Sequence, residues 1–131
     1  MTARDWPERV PTWRGLSVGD TIAIACWPDH AKVIDTIEYH WPRPGKGTGR
    51  WARGTIEWAT VWCRHVRDPR TRSRTDLRID AAGQPVYHQH HTHLDADGMW
   101  AGFHITEHPV LILAPAPGRN YTQIPLIGAT P

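Results

Sequence analysis

Residues 86–108, VYHQHHTHLDADGMWAGFHITEH, decide the fold; they hold six of the nine histidines and the clearest turn in the chain. Asp95-Ala96-Asp97-Gly98 is read as a tight connection, because Asp favours the start of a turn and Gly accepts positive φ at its end. The flanking residues then run back along each other as a hairpin. With Leu94 opposite Met99, Thr92 faces Ala101, His90 faces Phe103 and His88 faces Ile105. Side chains alternate along a strand. One face therefore carries Val86, His88, His90, Leu94, Met99, Phe103 and Ile105. The other carries Tyr87, His91, His93, Trp100 and His104. The first face is the more apolar and is expected to be the core side. On it His88 and His90 are read as neutral core histidines bonded to backbone carbonyls. A one-residue slip in register would exchange the two faces.

The length, 131 residues, suits one domain with a modest core, and 40% hydrophobic residues exclude a disordered polymer. No apolar run approaches the roughly 20 residues of a membrane helix. The first residues, MTARDWPERVPTW, lack the apolar stretch of a signal peptide. Two cysteines, Cys26 and Cys63, are too few to staple a secreted scaffold. The expectation is a cytoplasmic protein with two buried thiols and no membrane partner. The net charge of +2 hides an asymmetry: residues 43–78 hold ten basic against three acidic side chains, a local +7 that leaves −5 elsewhere. That makes one basic and one mildly acidic side.

Outward from the hairpin, no segment shows a convincing helical period. Residues 1–16 are expected to form an irregular arm, since Pro7 and Pro11 oppose a helix while Trp6, Val10, Trp13 and Leu16 are apolar. Strands are expected at 21–27 and at 32–41, the latter with Val33, Ile37, Tyr39 and Trp41 on one side. After a Pro, Gly and Arg-rich loop at 42–53, a strand at 54–66 puts Trp58 and Trp62 on one face and Ala59, Val61 and Cys63 on the other. Further strands are expected at 75–80, 85–94, 99–106 and 110–113. The tail, 114–131, carries Pro115, Pro117, Pro125 and Pro131. Its Ile124, Leu126 and Ile127 suggest docking on this domain or on a neighbouring chain. About seven short strands with turn-punctuated spacing indicate an all-β protein. We expect a small barrel or sandwich with added hairpins over 17–113, between an arm at 1–16 and an extended tail at 114–131.

Residues 17–41, about a fifth of the chain, resemble the start of an SH3-like barrel of the Tudor or KOW kind. The residues that carry the likeness are Gly19 and Asp20 before the first strand, Trp27 at its end, and Val33 and Ile37 in the second strand. Tudor domains carry an aromatic cage, which the resemblance would build from Trp27, Tyr39 and Trp41.

Two constellations suggest chemistry. His91 and His93 share a strand face, and His104 comes from the adjacent strand. Zinc takes three or four N, S or O ligands in a tetrahedron, so a zinc cofactor held by His91, His93 and His104 is one expectation. With an open position that would be a hydrolytic site. The plainer alternative is a solvated sheet face with no cofactor. The second constellation interleaves Arg43, Lys46, Arg50, Trp51, Arg53, Trp58 and Trp62, and Arg64, Arg67, Arg70, Arg72 and Arg74 extend it. Guanidinium groups fork onto phosphates and unstacked bases stack on indoles. Arg50, Trp51, Arg53, Arg70, Arg72 and Arg74 are the expected contact face for nucleic acid or another anionic partner. The alternative is a solvated basic edge whose tryptophans belong to the core. Cys63 and His65 share a face, but nothing orients them as nucleophile and base. Gly45-Lys46-Gly47-Thr48-Gly49 lacks the spacing of a phosphate loop.

The leading expectation is therefore a non-enzymatic binding module for nucleic acid or another anionic partner. A structural assembly protein, such as a phage virion or accessory component held in a homo-oligomer by its terminal arms, is the alternative. A zinc-dependent hydrolase is the third.

Overall fold

The structure, a computed structural model, describes residues 7–42 and 57–118. Among them nine strands follow in order: β1 (Glu8–Val10), β2 (Thr12–Trp13), β3 (Leu16–Ser17), β4 (Thr21–Ile24), β5 (Lys32–His40), β6 (Trp58–His65), β7 (Arg72–Ile79), β8 (Pro85–Leu94) and β9 (Trp100–Ala114). The described residues contain no helix, and hence none long and apolar enough to cross a membrane. The main sheet runs β1-β5-β4-β9-β8-β7-β6, and β6 returns to pair with β5. It closes into an all-β, six-stranded barrel with β1 added outside β5, an architecture compatible with an SH3-like barrel.

The core follows from strand alternation. On β6 the odd residues Ala59, Val61 and Cys63 are fully buried, while Trp58 and Trp62 look outward, as their pattern predicts. Ile22 and Ile24 of β4, Ile34 and Ile37 of β5, Leu77 of β7 and Val110 of β9 complete the interior. Burying each such side chain stabilises by roughly 1.5–3 kcal/mol.

The expected face of β5 is half wrong. Pairing with β6 shifts between Ile34 and Thr36, so Asp35 is an extra, bulged residue. A bulge reverses the alternation beyond it. Ile37 and Tyr39 keep the face predicted for them, but Ile34 and Lys32, not Val33, are the buried residues on the other side of the bulge. Lys32 enters a site where its Nζ donates to Thr75 Oγ1 at 3.0 Å. Burial lowers its pKa, with Cys63 acting in the opposite direction.

The residues expected to form an irregular arm are folded where the structure describes them. Glu8, Arg9 and Val10 pair with Tyr39, Glu38 and Ile37. Trp13 and Leu16 pair across the two-residue turn Arg14-Gly15. Both turn residues have positive φ, 48° and 84°, as a type I′ hairpin turn requires. The turn drives Trp13 and Leu16 into the core, where they are 5% and 0% exposed. Two more expectations change. β7 begins at Arg72 rather than at 75, and the strands expected at 99–106 and 110–113 are one strand, β9, running through Pro109. Of the tail, residues 119–131 lie outside the described residues.

Gly19 and Asp20 hold the strand ends together. Asp20 is fully buried. Its Oδ2 accepts from the Ser17 N–H at 2.9 Å and its Oδ1 from the Ala116 N–H at 2.8 Å. Gly19 has φ +96°, and a Cβ there would lie 3.1 Å from that of Ala116, so the approach of the post-β9 chain needs glycine. Asp20→Ala strands both N–H donors and is expected to lower the unfolding free energy by about 2–4 kcal/mol. Asp20→Asn keeps one acceptor oxygen and should lose less. Urea denaturation of both variants reads the difference; equal losses would show that these two bonds do not hold the turn.

Candidate functional site

β8 and β9 are longer than the barrel needs. β8 pairs with β7 only at Pro85 and Val86, and β9 pairs with β4 only between Val110 and Ala114. Outward of these points, among the described residues, the two strands are paired with each other. The result is a two-stranded ribbon whose outer edges have no strand partner among the described residues.

Its register differs from the expected one by two residues. Thr92 faces Phe103, His90 faces Ile105, His91 faces His104 and His93 faces Gly102, and a bulge at Ala101 then brings Leu94 opposite Trp100. The turn itself forms as read: Asp95 N–H donates to Met99 O, Gly98 N–H to Asp95 O, and Asp95 Oδ1 accepts from the N–H groups of Asp97 and Met99. A shift of two preserves which residues share a face as far as Gly102, and the bulge then moves Trp100 from the expected histidine face to the face of Leu94. What it does not preserve is the expectation that one face is core. Leu94, Met99, Trp100, Phe103 and Ile105 are 43–67% exposed. His90 is exposed and stacks on Phe103, and half-buried His88 meets Glu107 Oε2 at 3.1 Å, so neither is a core histidine. The ribbon extends past the strands that close the barrel, and among the described residues no second layer covers these side chains.

The other face brings the expected histidines together. The His91 and His104 rings stack at 4.6 Å and 12°, and the His93 and His104 rings at 4.6 Å and 23°. His93 Nε2 and His104 Nδ1 share a hydrogen bond. The ladder continues through His91 Nε2 to Thr106 Oγ1 at 2.9 Å, on to His108 Nε2 at 3.0 Å, and to Gln89 Oε1 at 2.9 Å. Among the described residues no group of three His, Cys, Asp or Glu side chains is placed to hold a metal ion. His108 lies beyond the strand expected to end at 106; the 104–106–108 alternation was the signal that could have found it.

The arginine–tryptophan surface lies on the outer side of β5, β6 and β7. Arg72 and Arg74 place guanidinium groups 5.8 Å from the Trp62 ring, and Arg78 lies 4.5 Å from Trp58. Trp58 in turn stacks on His40 at 3.6 Å. Burial lowers the His40 pKa, the first of several influences, and favours a neutral ring there. Carboxylates answer the cations. Asp35, aimed outward by its bulge, meets Arg64 at 2.9 Å and Arg72 at 3.6 Å; Asp76 meets Arg74 at 3.3 Å. Glu38 accepts from the Trp62 indole. Arg70, 95% exposed, pairs loosely with Asp68 at 3.6 Å. Arg72 and Arg74 thus share the Trp62 face, Arg70 lies in the β6–β7 turn beside Asp68, and Arg50, Trp51 and Arg53 lie outside the described residues. The aromatic rings implied by the barrel resemblance pair separately, Trp27 with Tyr87 and Tyr39 with Trp41.

Between these surfaces, at the base of the ribbon, lies a groove of about 680 Å³ whose lining includes Arg74, Arg78, Ile79, Tyr87, Phe103 and Ile105. Cys63 adds no nucleophile: it is fully buried, and burial pushes its thiol up to about 11. Cys26 is only half-buried, and both thiols are free.

The histidine ladder makes a titration prediction. Desolvation, then repulsion from His91 and His93, lowers the His104 pKa. His104 should stay neutral through the ordinary imidazole midpoint of about 6.5 and gain its proton only at lower pH. NMR titration reads this directly, and His91→Ala with His93→Ala should move the midpoint back up. An ordinary midpoint in the wild type would mean that the rings separate in solution. No protein-family model, curated protein or solved structure matches this chain, so its function is read from these surfaces alone.

Proposed function

We propose that this protein is a non-enzymatic assembly component whose barrel carries the β8–β9 ribbon as the element that joins subunits of a homo-oligomer. One observation carries the reading: a ribbon with open edges also exposes Leu94, Met99, Trp100, Phe103 and Ile105. An isolated two-stranded hairpin is marginally stable in water. Contiguous apolar surface marks association sites, and open edges invite pairing with another chain. The ribbon, rather than the terminal arms first expected, is the joining element in this proposal. We also read the barrel as of the Tudor and KOW kind, on Gly19, Asp20 and the β4–β5 connection, which favours binding over catalysis.

The Arg–Trp face supports a second reading, binding of nucleic acid or another anionic polymer. The stacking of Arg72 and Arg74 on Trp62 favours it. β5 ends and β6 begins at the His40–Trp58 pair, next to that face, and Arg50, Trp51 and Arg53 fall in the sequence between the two strands. Against it, Asp35, Glu38 and Asp76 already engage the same groups. A zinc hydrolase would require His91, His93 and His104 to unstack, and has the least support.

Trp100→Ser with Met99→Ser removes exposed apolar surface and touches no core residue. The melting temperature should hardly change, since surface substitutions stay within about 0.5 kcal/mol. Sedimentation equilibrium should show concentration-dependent mass above 14.9 kDa for the wild type and the monomer mass for the variant. A variant that associates like the wild type would refute the assembly reading. For the second reading, labelled oligonucleotides titrated at several salt concentrations should show a log–log slope that flattens by about 0.7 per lost contact in single strands when Arg70, Arg72 and Arg74 become alanine. Absence of binding at low salt removes that reading.

A further inference from the structure

We infer that the groove at the base of the ribbon receives the ribbon tip of a second copy of this chain, head to tail. This rests on the assembly reading above and adds the receiving surface and the symmetry.

The groove is apolar on part of its wall, through Ile79, Tyr87, Phe103 and Ile105, and is flanked by Arg74 and Arg78. At about 680 Å³ it falls within the size range of pockets that enclose large apolar groups. The tip supplies such groups, with Leu94, Met99 and Trp100 each about two-thirds exposed.

Charge agrees with shape. Residues 85–108 contain Asp95, Asp97 and Glu107 and neither Lys nor Arg. β7, the strand that walls the barrel side of the groove, carries Arg72, Arg74 and Arg78 against Asp76. The groove's own carboxylates are matched internally. Asp76 accepts from Thr60 and Arg74, and Glu57 from Trp13 and Arg14. An acidic tip therefore approaches a basic surface rather than a like-charged one.

The tip cannot fill its own groove. Phe103 and Ile105 pair with Thr92 and His90 in the very ribbon that ends in Leu94 and Trp100. Folding back would break that pairing, so the occupant comes from another chain. Tip and groove are different surfaces of one molecule. Their contact is heterologous and builds a ring or an open chain rather than a two-fold pair.

The test uses two full-length variants, each checked for an unchanged melting curve: Trp100→Ser with Met99→Ser at the tip, and Arg74→Glu on the barrel side of the groove. Arg74 lies outside the ribbon, so ribbon-to-ribbon pairing through open edges would ignore its change. Sedimentation at several concentrations should show the wild type associating and each variant alone as monomer. An equimolar mixture should form dimers and stop there, because only one intact tip and one intact groove remain. The wild-type association should weaken as salt rises. A photoreactive benzoylphenylalanine in place of Met99 should cross-link to residues 74–79 or 87 of the neighbouring copy. Arg74→Glu associating like the wild type, a mixture that stays monomeric, or cross-links confined to residues 94–100 would overturn the head-to-tail contact while leaving ribbon-mediated assembly standing. Association lost on removing residues 119–131 but kept in the tip variant would make the tail the occupant and overturn the inference. A wild type that is monomeric at all concentrations would overturn both the inference and the assembly reading.

Discussion

Closure of the barrel through β5 is the constraint on which everything else depends. β5 pairs with β6 along its whole length, with β4 at Lys32 and Val33, and with β1 at its far end. A closed sheet has no edge, so within the barrel the backbone groups of the strands pair with one another. The short β4–β5 pairing would be a weak seam by itself. Backbone bonds from the Gly19 N–H to Ile34 O and from the Ile34 N–H to Asp20 O extend it, and the buried Asp20 carboxylate ties the same turn to the chain leaving β9. The β2–β3 hairpin then contributes Trp13 and Leu16 to the closed interior.

Closure also explains the bulge at Asp35 and the surface charge. One extra residue lets β5 keep Ile37 inward and turn Ile34 inward as well. The same residue sends a carboxylate to the outer face between Arg64 and Arg72. The basic density of β6 and β7 is thus partly answered by β5, a strand distant in sequence. Lys32 is the other consequence. The reversed alternation carries its stem into the interior, where burial opposes its charge and Thr75 is the hydrogen-bond partner.

The ribbon is where closure stops. β8 and β9 contribute their inner ends to the barrel and continue past it as a pair. Within the barrel, alternation separates a covered face from a wet one. In the ribbon both faces are open. One carries Phe103 and Ile105, and the other carries the stacked histidines and Thr106. Among the described residues, the unpaired edges of the β8–β9 pair therefore coincide with its exposed apolar side chains, and that coincidence is the physical basis for reading the protein as an assembly component.

Much of the architecture was legible in the residues. The Asp95–Gly98 turn, the two faces of β6, the β-rich spacing and the sharing of a face by His91, His93 and His104 follow from local rules of turn chemistry and alternation. The arms were not legible: Arg14-Gly15 is a type I′ turn only because Trp13 and Leu16 have a core to enter. Nor were the bulges at Asp35 and Ala101, since one extra residue reverses the alternation without marking the composition. Alternation reports that two faces of a strand differ, not what lies against either. The amino-acid sequence by itself determined which side chains keep company along each strand. Only the tertiary structure decided that Phe103 and Ile105 face solvent and a groove instead of a core, because burial depends on where the other strands stop.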